Sequence, residues 1–338
     1  MTPMMAFVLL GVAVAAYTLT AGADFGGGVW DLLASGPRRE RQRELIVEVI
    51  GPIWEVNHIW MIFAVVVLFT VFPVGFAVIT TALHIPLLLA LVGIVLRGSG
   101  FVFRAYGLQP DEQRARWGRV FAWASAITPV FLGMILGALS SGQIELARDS
   151  RGVVRVASGF FAGWTSPLAV AVGVFALVLF ALLAAVYLAC EAERRSEYPL
   201  SGDFRRRALG CEVVAFGLAL IVLWRAGVDS PLLFSGLLNA PWSVPAQVLT
   251  AVVAIGAILA LLGGRLVLAR WLVMGQVGLI VLGWGLAMNG HLVLPDLFVE
   301  AAGAEKAVLA SLPWVLLGGG VLFGPALWWL FRVFETDG

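Results

Sequence analysis

The sequence predicts an all-α, polytopic membrane protein of about nine transmembrane helices, on three observations. Sixty-one per cent of the 338 residues are apolar and only 13% are charged, with a mean hydropathy of +0.96. A soluble domain is nearer half apolar and a quarter charged. Several windows of about 19 residues carry no charge, the length that crosses the hydrocarbon core. Finally, Lys and Arg fall overwhelmingly on alternate connections between those windows.

The spans lie near 4–22, 50–72, 75–97, 118–140, 164–190, 208–226, 245–262, 269–290 and 309–332. The apolar core of the first span, Met4–Thr20, runs into Ala21-Gly22-Ala23, which resembles a cleavage site. A signal peptide carries positive charge before its apolar core, and here the first basic residue is Arg38, so 4–22 reads as a retained span. Gly26-Gly27-Gly28 has no βαβ setting and is no dinucleotide fingerprint. It suits close backbone packing or a break after the first helix. Arg39–Ile50 reads as a short amphipathic helix, and Pro52 after it kinks a helix or opens a new one. The second span begins with unusually polar residues. The third holds His84 at its middle, where a hydrogen-bonded core histidine is the commoner reading than a ligand. Cys190 and Cys211 form no CxxC pair and read as packed thiols. His291, Trp242, Trp314, Trp328 and Trp329 fall near span ends and read as interface residues. Gly318-Gly319-Gly320 suits tight helix contact. No connection reaches the length of a soluble domain, so 1–338 reads as one membrane-embedded domain.

Counting Lys and Arg on alternate sides gives 17 on the side of the odd-numbered connections and the C-terminus, against 5 on the other. The positive-inside rule places the first set, and the C-terminus, in the cytoplasm. Were the second span only a surface segment, this alternation would break after it.

The stretch GPIWEVNHIW, Gly51–Trp60, carries polar groups into the second span. At 100° per residue, Trp54, Glu55, Asn57 and His58 share an arc of about 160°. A charged carboxylate facing lipid costs several kcal/mol, so that face looks into protein or water. Asp24, at the end of the first span, and Arg97, at the end of the third, belong to the same side of the membrane. Three spans thus bring Asp24, Glu55 and Arg97 to one depth, a candidate carboxylate–guanidinium network. Arg97 favours an ionised carboxylate while burial opposes it, and a group so balanced relays protons; His58, one turn deeper, is placed to pass them on. Ion pairs at helix ends also serve simply to orient spans, and the residues alone leave both readings open.

Three motifs, TAGADFGGGVWDLL from Thr20, IGPIWEVNHIW from Ile50 and LRGSGFVFR from Leu96, resemble in content, order and separation those of subunit II of cytochrome bd-type quinol oxidases. The detailed resemblance covers the first third of the chain; beyond it, length, hydropathy and span count agree. The resemblance implies a haem-free subunit in the bacterial cytoplasmic membrane. Its partner, subunit I, would carry three haems and the quinol site. The complex would oxidise quinol, reduce O₂ to water with cytoplasmic protons, and build a proton gradient without pumping. No cofactor is expected on this chain itself, and only three histidines are present. The resemblance leaves room for a small accessory subunit and for a quinone or lipid held on this subunit; nucleic acid is not an expected partner. It matches Asp24 to the second acid of the family's first-span motif. Glu55 takes a position that is Asp or Glu among members, and Arg97 matches the arginine closing the third span. Some members carry an acid where this chain has Ala21, and Gln where it has His58. Two other classes remain: a proton-coupled secondary transporter, against which no pair of broken midplane helices is evident, and a purely structural anchor of a redox complex.

Overall fold

The computed structural model describes residues 1–50, 54–106, 110–150 and 152–335; side chains at 50, 54–56, 106, 111, 322–324, 326–328 and 330–335 lie outside the description. The chain is helical, in the order α1 (Pro3–Leu32), α2 (Arg39–Ile50), α3 (Trp54–Val71), α4 (Pro73–Ala82), α5 (His84–Tyr106) and α6 (Asp111–Ser140). A hairpin of β1 (Leu146–Arg148) and β2 (Val154–Val156) follows. Then come α7 (Pro167–Arg194), α8 (Tyr198–Asp229), α9 (Pro231–Leu238), α10 (Ser243–Leu262) and α11 (Leu266–Ala287). The chain ends with β3 (His291–Val293), β4 (Leu297–Phe298), α12 (Val299–Ala302) and α13 (Lys306–Glu335). Both strand pairs are antiparallel.

Among the described residues, seven helices are long and apolar enough to cross a membrane, or eight if the bent pair α3–α4 counts as one span. The ninth expected span falls in α13, of which Lys306–Val321 counts as a shorter apolar helix.

Two boundaries differ from expectation. The first helix does not stop at residue 22; α1 runs to Leu32, straight through the glycine run. Glycine is a poor helix former, but here the missing side chains are what the packing needs. A Cβ on Gly26 would lie 2.0 Å from the carbonyl oxygen of Phe180 on α7, so α1 and α7 touch backbone to backbone. The expected third span, 75–97, divides. Leu83 closes α4 inside it, whereas the 117° bend between α3 and α4 at Phe72, where Pro73 cannot extend α3, falls at the expected boundary between the second and third spans. The span proper, α5, begins only at His84. His84 is therefore not central but exposed at a helix start, where its ring nitrogen meets the Thr81 carbonyl at 2.9 Å.

The most buried span is α7, packed against α1, α6, α8 and α11. Its inner positions, Ala181, Ala184, Ala185, Ala189 and Ala192, are small. Because lipid tails are as apolar as leucine, helices in a bilayer associate by such close van der Waals contact rather than by a hydrophobic drive. The amphipathic α2 lies across the arginine-rich end. Arg41 ties it to Glu197 at 2.7 Å and Arg38 ties its approach to Asp203 at 2.7 Å. By contrast, no atom of the described residues outside the local helix backbone lies within 4 Å of where side chains on Gly318, Gly319 or Gly320 would sit, so that run makes no tight helix contact among the described residues. His291 is buried, its ring 3.9 Å from that of Phe298, and so is not a free interface residue.

Candidate functional site

Inside the bundle of α1, α3, α5 and α6, Asp24 and Arg97 meet. The Nη2 of Arg97 donates to Oδ1 of Asp24, and neither side chain has any exposed surface. The cation is also covered by aromatic rings: its guanidinium carbon lies 4.8 Å from the centroid of Phe25 and 5.6 Å from that of Phe121. Such cation–π contact compensates part of the lost hydration. Close approach of α5 to α6 makes the enclosure complete, since a Cβ on Gly100 would lie 2.8 Å from the Phe121 nitrogen.

The pair is not fully satisfied. Arg97 Nε and Nη1, Tyr17 Oη and Ser125 Oγ are buried without a hydrogen-bond partner, and the Asn57 amide acts on the Asp24 carboxylate without Nδ2 and Oδ2 closing a hydrogen bond of good geometry. Native interiors leave few such atoms, and those that remain ask for an explanation. These buried groups come from four helices, Tyr17 and Asp24 from α1, Asn57 from α3, Arg97 from α5 and Ser125 from α6, and include both donors and acceptors. His58 stands at the rim, half-buried. Its ring centroid lies 6.0 Å from Tyr17 and 6.3 Å from Phe25. It also lines a groove of about 460 Å³ with Ile94, Gly98, Ser99 and Val102 of α5.

Seven residues further along both helices the pairing repeats. Asp31 on α1 accepts from Arg104 Nη1 on α5 at 2.9 Å, and Arg43 of α2 approaches the same oxygen at 3.9 Å. Seven residues is about two helical turns, roughly 10 Å. The two acids thus share one face of α1 and the two arginines one face of α5. Side-chain exposure falls along this ladder, from 26% at Arg43 and 17% at Arg104 to 4% at Asp31 and none at Asp24. It leads from the arginine-rich end into the interior.

Of the residues the sequence singled out, Asp24, Arg97 and Asn57 come together in the interior, with His58 beside them. Trp54 and Glu55 open α3, but their side chains lie outside the described residues, as does Pro52. Asp24 and Arg97 do not close their helices; each lies more than two turns inside the end, because α1 and α5 continue to Leu32 and Tyr106. Asp31, Arg104, Tyr17 and Ser125 were not singled out. The matched sevenfold spacing, Asp24/Asp31 against Arg97/Arg104, was the available signal for the first two. A second buried carboxyl also went unmarked: Glu212 of α8 accepts from Gln276 Nε2 of α11 at 3.1 Å. Among the described residues no three His, Cys, Asp or Glu side chains converge as a metal site.

Comparison with known proteins follows the same lines. The sequence profile of the family "Cytochrome bd terminal oxidase subunit II" matches residues 2–334. A putative cytochrome bd menaquinol oxidase subunit II of Bacillus subtilis is 23% identical over 328 residues, 95% of this chain and 92% of the relative. The cytochrome bd ubiquinol oxidase subunit 2 of the same organism is 27% identical over 141 residues, and that match spans only 40% of either chain. Subunit 2 of the bd-I ubiquinol oxidase of Escherichia coli is 26% identical over 140 residues, 40% of this chain and 35% of the relative. A chain in the structure of the bd oxidase from Geobacillus thermodenitrificans shares the fold, with a TM-score of 0.78 at 20% identity over 99% of both chains.

Proposed function

The chain belongs to the cytochrome bd terminal oxidase subunit II family, and from that premise we propose that it works as the haem-free subunit of a membrane quinol:oxygen oxidoreductase, where it admits protons from the cytoplasm. It does so as one multi-pass unit of the bacterial inner membrane, beside a haem-bearing subunit I. The reading includes nine spans, with the N-terminus periplasmic and the arginine-rich end cytoplasmic, in keeping with the 17-to-5 division of basic residues. Haems would carry the electrons to oxygen and stand in the partner. Two of the three histidines already set a ring nitrogen against a backbone carbonyl, His84 on Thr81 and His291 on Met288, each at 2.9 Å.

The observation that carries the proton reading is the Asp24–Arg97 pair, enclosed in apolar helices that bury partnerless polar atoms, the pair's own Asp24 Oδ2 and Arg97 Nε and Nη1 among them. A purely orienting ion pair gains nothing from those extra groups, and each unpaired buried group costs about 1–3 kcal/mol. The route starts at Arg43 and Asp31, where α2 meets the cytoplasm. It passes along the Asp31–Arg104 and Asp24–Arg97 rungs and reaches Tyr17, Asn57 and His58. Arg97 holds the Asp24 carboxylate in place, Asn57 flanks it, and Glu55 enters the same route from the start of α3. Protons leaving the site would pass towards the partner across the α3–α5 groove that His58 lines.

The test is Asp24→Asn, alongside Glu55→Gln, in the assembled complex. Oxygen reduction per assembled haem is expected to fall by about 100-fold, the lower end for a positioned proton-transfer group, with normal haem content in Glu55→Gln and a lower yield of assembled complex in Asp24→Asn, which leaves the buried Arg97 cation unpaired. Wild-type turnover in both variants would reject the inlet. Separately, the chain produced alone is expected to show no haem absorbance, and a stoichiometric haem spectrum would overturn the subunit assignment.

A further inference from the structure

A second polar cavity opens at the arginine-rich end, away from the proton ladder. It encloses about 380 Å³ between the turn at Ser35–Arg38 with Gln42 of α2 on one side and Asp203, Arg206 and Arg207 of α8 on the other. Three guanidiniums face one carboxylate there. Asp203 is already engaged twice, by Arg38 through two bonds of 2.7 and 2.8 Å and by Arg206 at 2.6 Å. Arg207 has no carboxylate partner among the described residues. Its Nη2 donates to Gln42 Oε1 at 2.9 Å and to the Leu33 carbonyl at 3.4 Å, and its Nη1 is buried with no acceptor. The guanidinium is held in place all the same, its central carbon 5.2 Å from the ring centroids of both Trp30 and Phe204. A half-buried cation fixed between two rings with an idle donor is short of an anion.

The surface below the cavity says which anion. Arg206, Val213, Phe216 and Leu220 lie on one side of α8, since steps of seven, three and four return to nearly the same direction. The Arg206 side chain is 74% exposed, and Val213, Phe216 and Leu220 are 70, 68 and 52% exposed. A charged rim thus sits directly above an open apolar stripe on a helix that spans the membrane. That is the profile of a phospholipid, with its phosphate at the rim and its acyl chains along the stripe. Basic pockets between helices at a cytoplasmic face are where acidic headgroups bind. We propose that this cavity holds the phosphate of an anionic phospholipid, with Arg207 as the fixed donor and Arg206 and Arg38 completing the charge. Free phosphate would satisfy the arginines but not the stripe.

The experiment uses the full chain in the form in which it purifies, stripped of lipid in detergent. Thermal unfolding is followed on titration with phosphatidylglycerol, phosphatidylcholine or inorganic phosphate, for the parent chain and for Arg206→Gln and Arg207→Gln. Phosphatidylglycerol is expected to raise the melting temperature, phosphatidylcholine not to, and phosphate alone to give less than the lipid. In both variants the apparent affinity for phosphatidylglycerol is expected to weaken roughly tenfold, the loss of one charge-assisted hydrogen bond. Equal effects of the two lipids, or an undiminished response in the variants, would overturn the site. Full stabilisation by phosphate alone would overturn the lipid as its source. Arg207 packs on two rings, so should Arg207→Gln not fold, the exposed Arg206→Gln decides by the same criterion. Proton uptake does not enter this test, so it stands or falls apart from the reading of Asp24.

Discussion

Asp24 and Glu212 are both buried carboxyls on long apolar helices, yet their surroundings differ in kind. Asp24 faces a guanidinium capped by two aromatic rings, and its own Oδ2 and two of the guanidinium nitrogens close no hydrogen bond. Glu212 faces the side-chain amide of Gln276, with no cation acting on it, and the Oε1 atoms of the two side chains are both left without a partner. The first arrangement keeps charge inside the bundle and offers it to other groups. The second is a local clamp between α8 and α11, closed by two short polar side chains. The difference teaches that burial of an acid is not by itself a sign of function; the partner and the surplus of donors and acceptors around it are.

Removing the partner separates the two most sharply. Arg97→Leu leaves the fully enclosed Asp24 carboxylate without its cation, and breaking such a pair costs about 3–5 kcal/mol. The expected outcome is loss of assembled protein or a large fall in melting temperature. Adding Asp24→Asn to that variant is expected to recover much of the loss, which a double-mutant cycle reads directly. Additive losses would mean that the two side chains do not depend on each other.

Next in size is a wedge that leaves both acids untouched. Gly26→Ala places a methyl against the Phe180 carbonyl, where there is no room. Overpacking of this kind costs about 1–3 kcal/mol. Because it pushes α1 off α7, it is expected to impair turnover along with stability. Gly210→Ala, two residues before Glu212 and with open space around it, is expected to do neither. Equal behaviour of the two alanine variants would remove the close α1–α7 contact from the account.

Smaller still are the effects at the clamp. Gln276→Leu strands Glu212 and is expected to cost about 1–3 kcal/mol, the penalty of an unpaired buried group. Glu212→Gln keeps an acceptor for Gln276 and adds a donor that suits its idle Oε1, so a change within about 1 kcal/mol is expected, with normal turnover. Should Glu212→Gln abolish oxygen reduction in an assembled complex with full haem content, the contrast with Asp24 fails.

Much of this was legible in the chain, and the misses have physical causes. The spans and the amphipathic helix Arg39–Ile50 follow from composition and periodicity alone. Asp24 and Arg97 could be paired because each is a lone charge next to a long apolar window. The depth of the pair was misjudged for one reason. Glycines 26–28 look like a helix end by propensity, whereas tertiary contact with Phe180 turns them into helix interior. That error also hid Asp31, which read as a loop residue instead of the next rung. The boundary at Phe72 and Pro73 was placed between the second and third spans, but the break at Leu83 was not, because the apolar residues on both sides of it read as one continuous span. Glu212 and Gln276 are 64 residues apart, and no spacing rule links them; only the fold does.

The weakest expected effect lies outside the membrane and sharpens the comparison from the other side. Arg41 of α2 bonds Glu48 and Glu197, and these hydrogen bonds hold both carboxyls below the ordinary glutamate range. A carboxyl depressed in the folded state contributes stability above its unfolded pKa, near 4.3, and loses it as pH falls through the folded value. Stability from this network is therefore expected to be flat from neutral pH down to about 5 and to decline below that. The groups are solvent-screened, so the contribution is expected to stay below about 1 kcal/mol and to shrink in salt. Arg41→Gln should accordingly flatten the acid limb of a melting-temperature profile by a degree or so at low salt, with no change at neutral pH in high salt. A salt-independent loss of several degrees at neutral pH would show that the anchoring of α2, and with it the entrance at Arg43 and Asp31, depends on a buried contact and not on these surface charges.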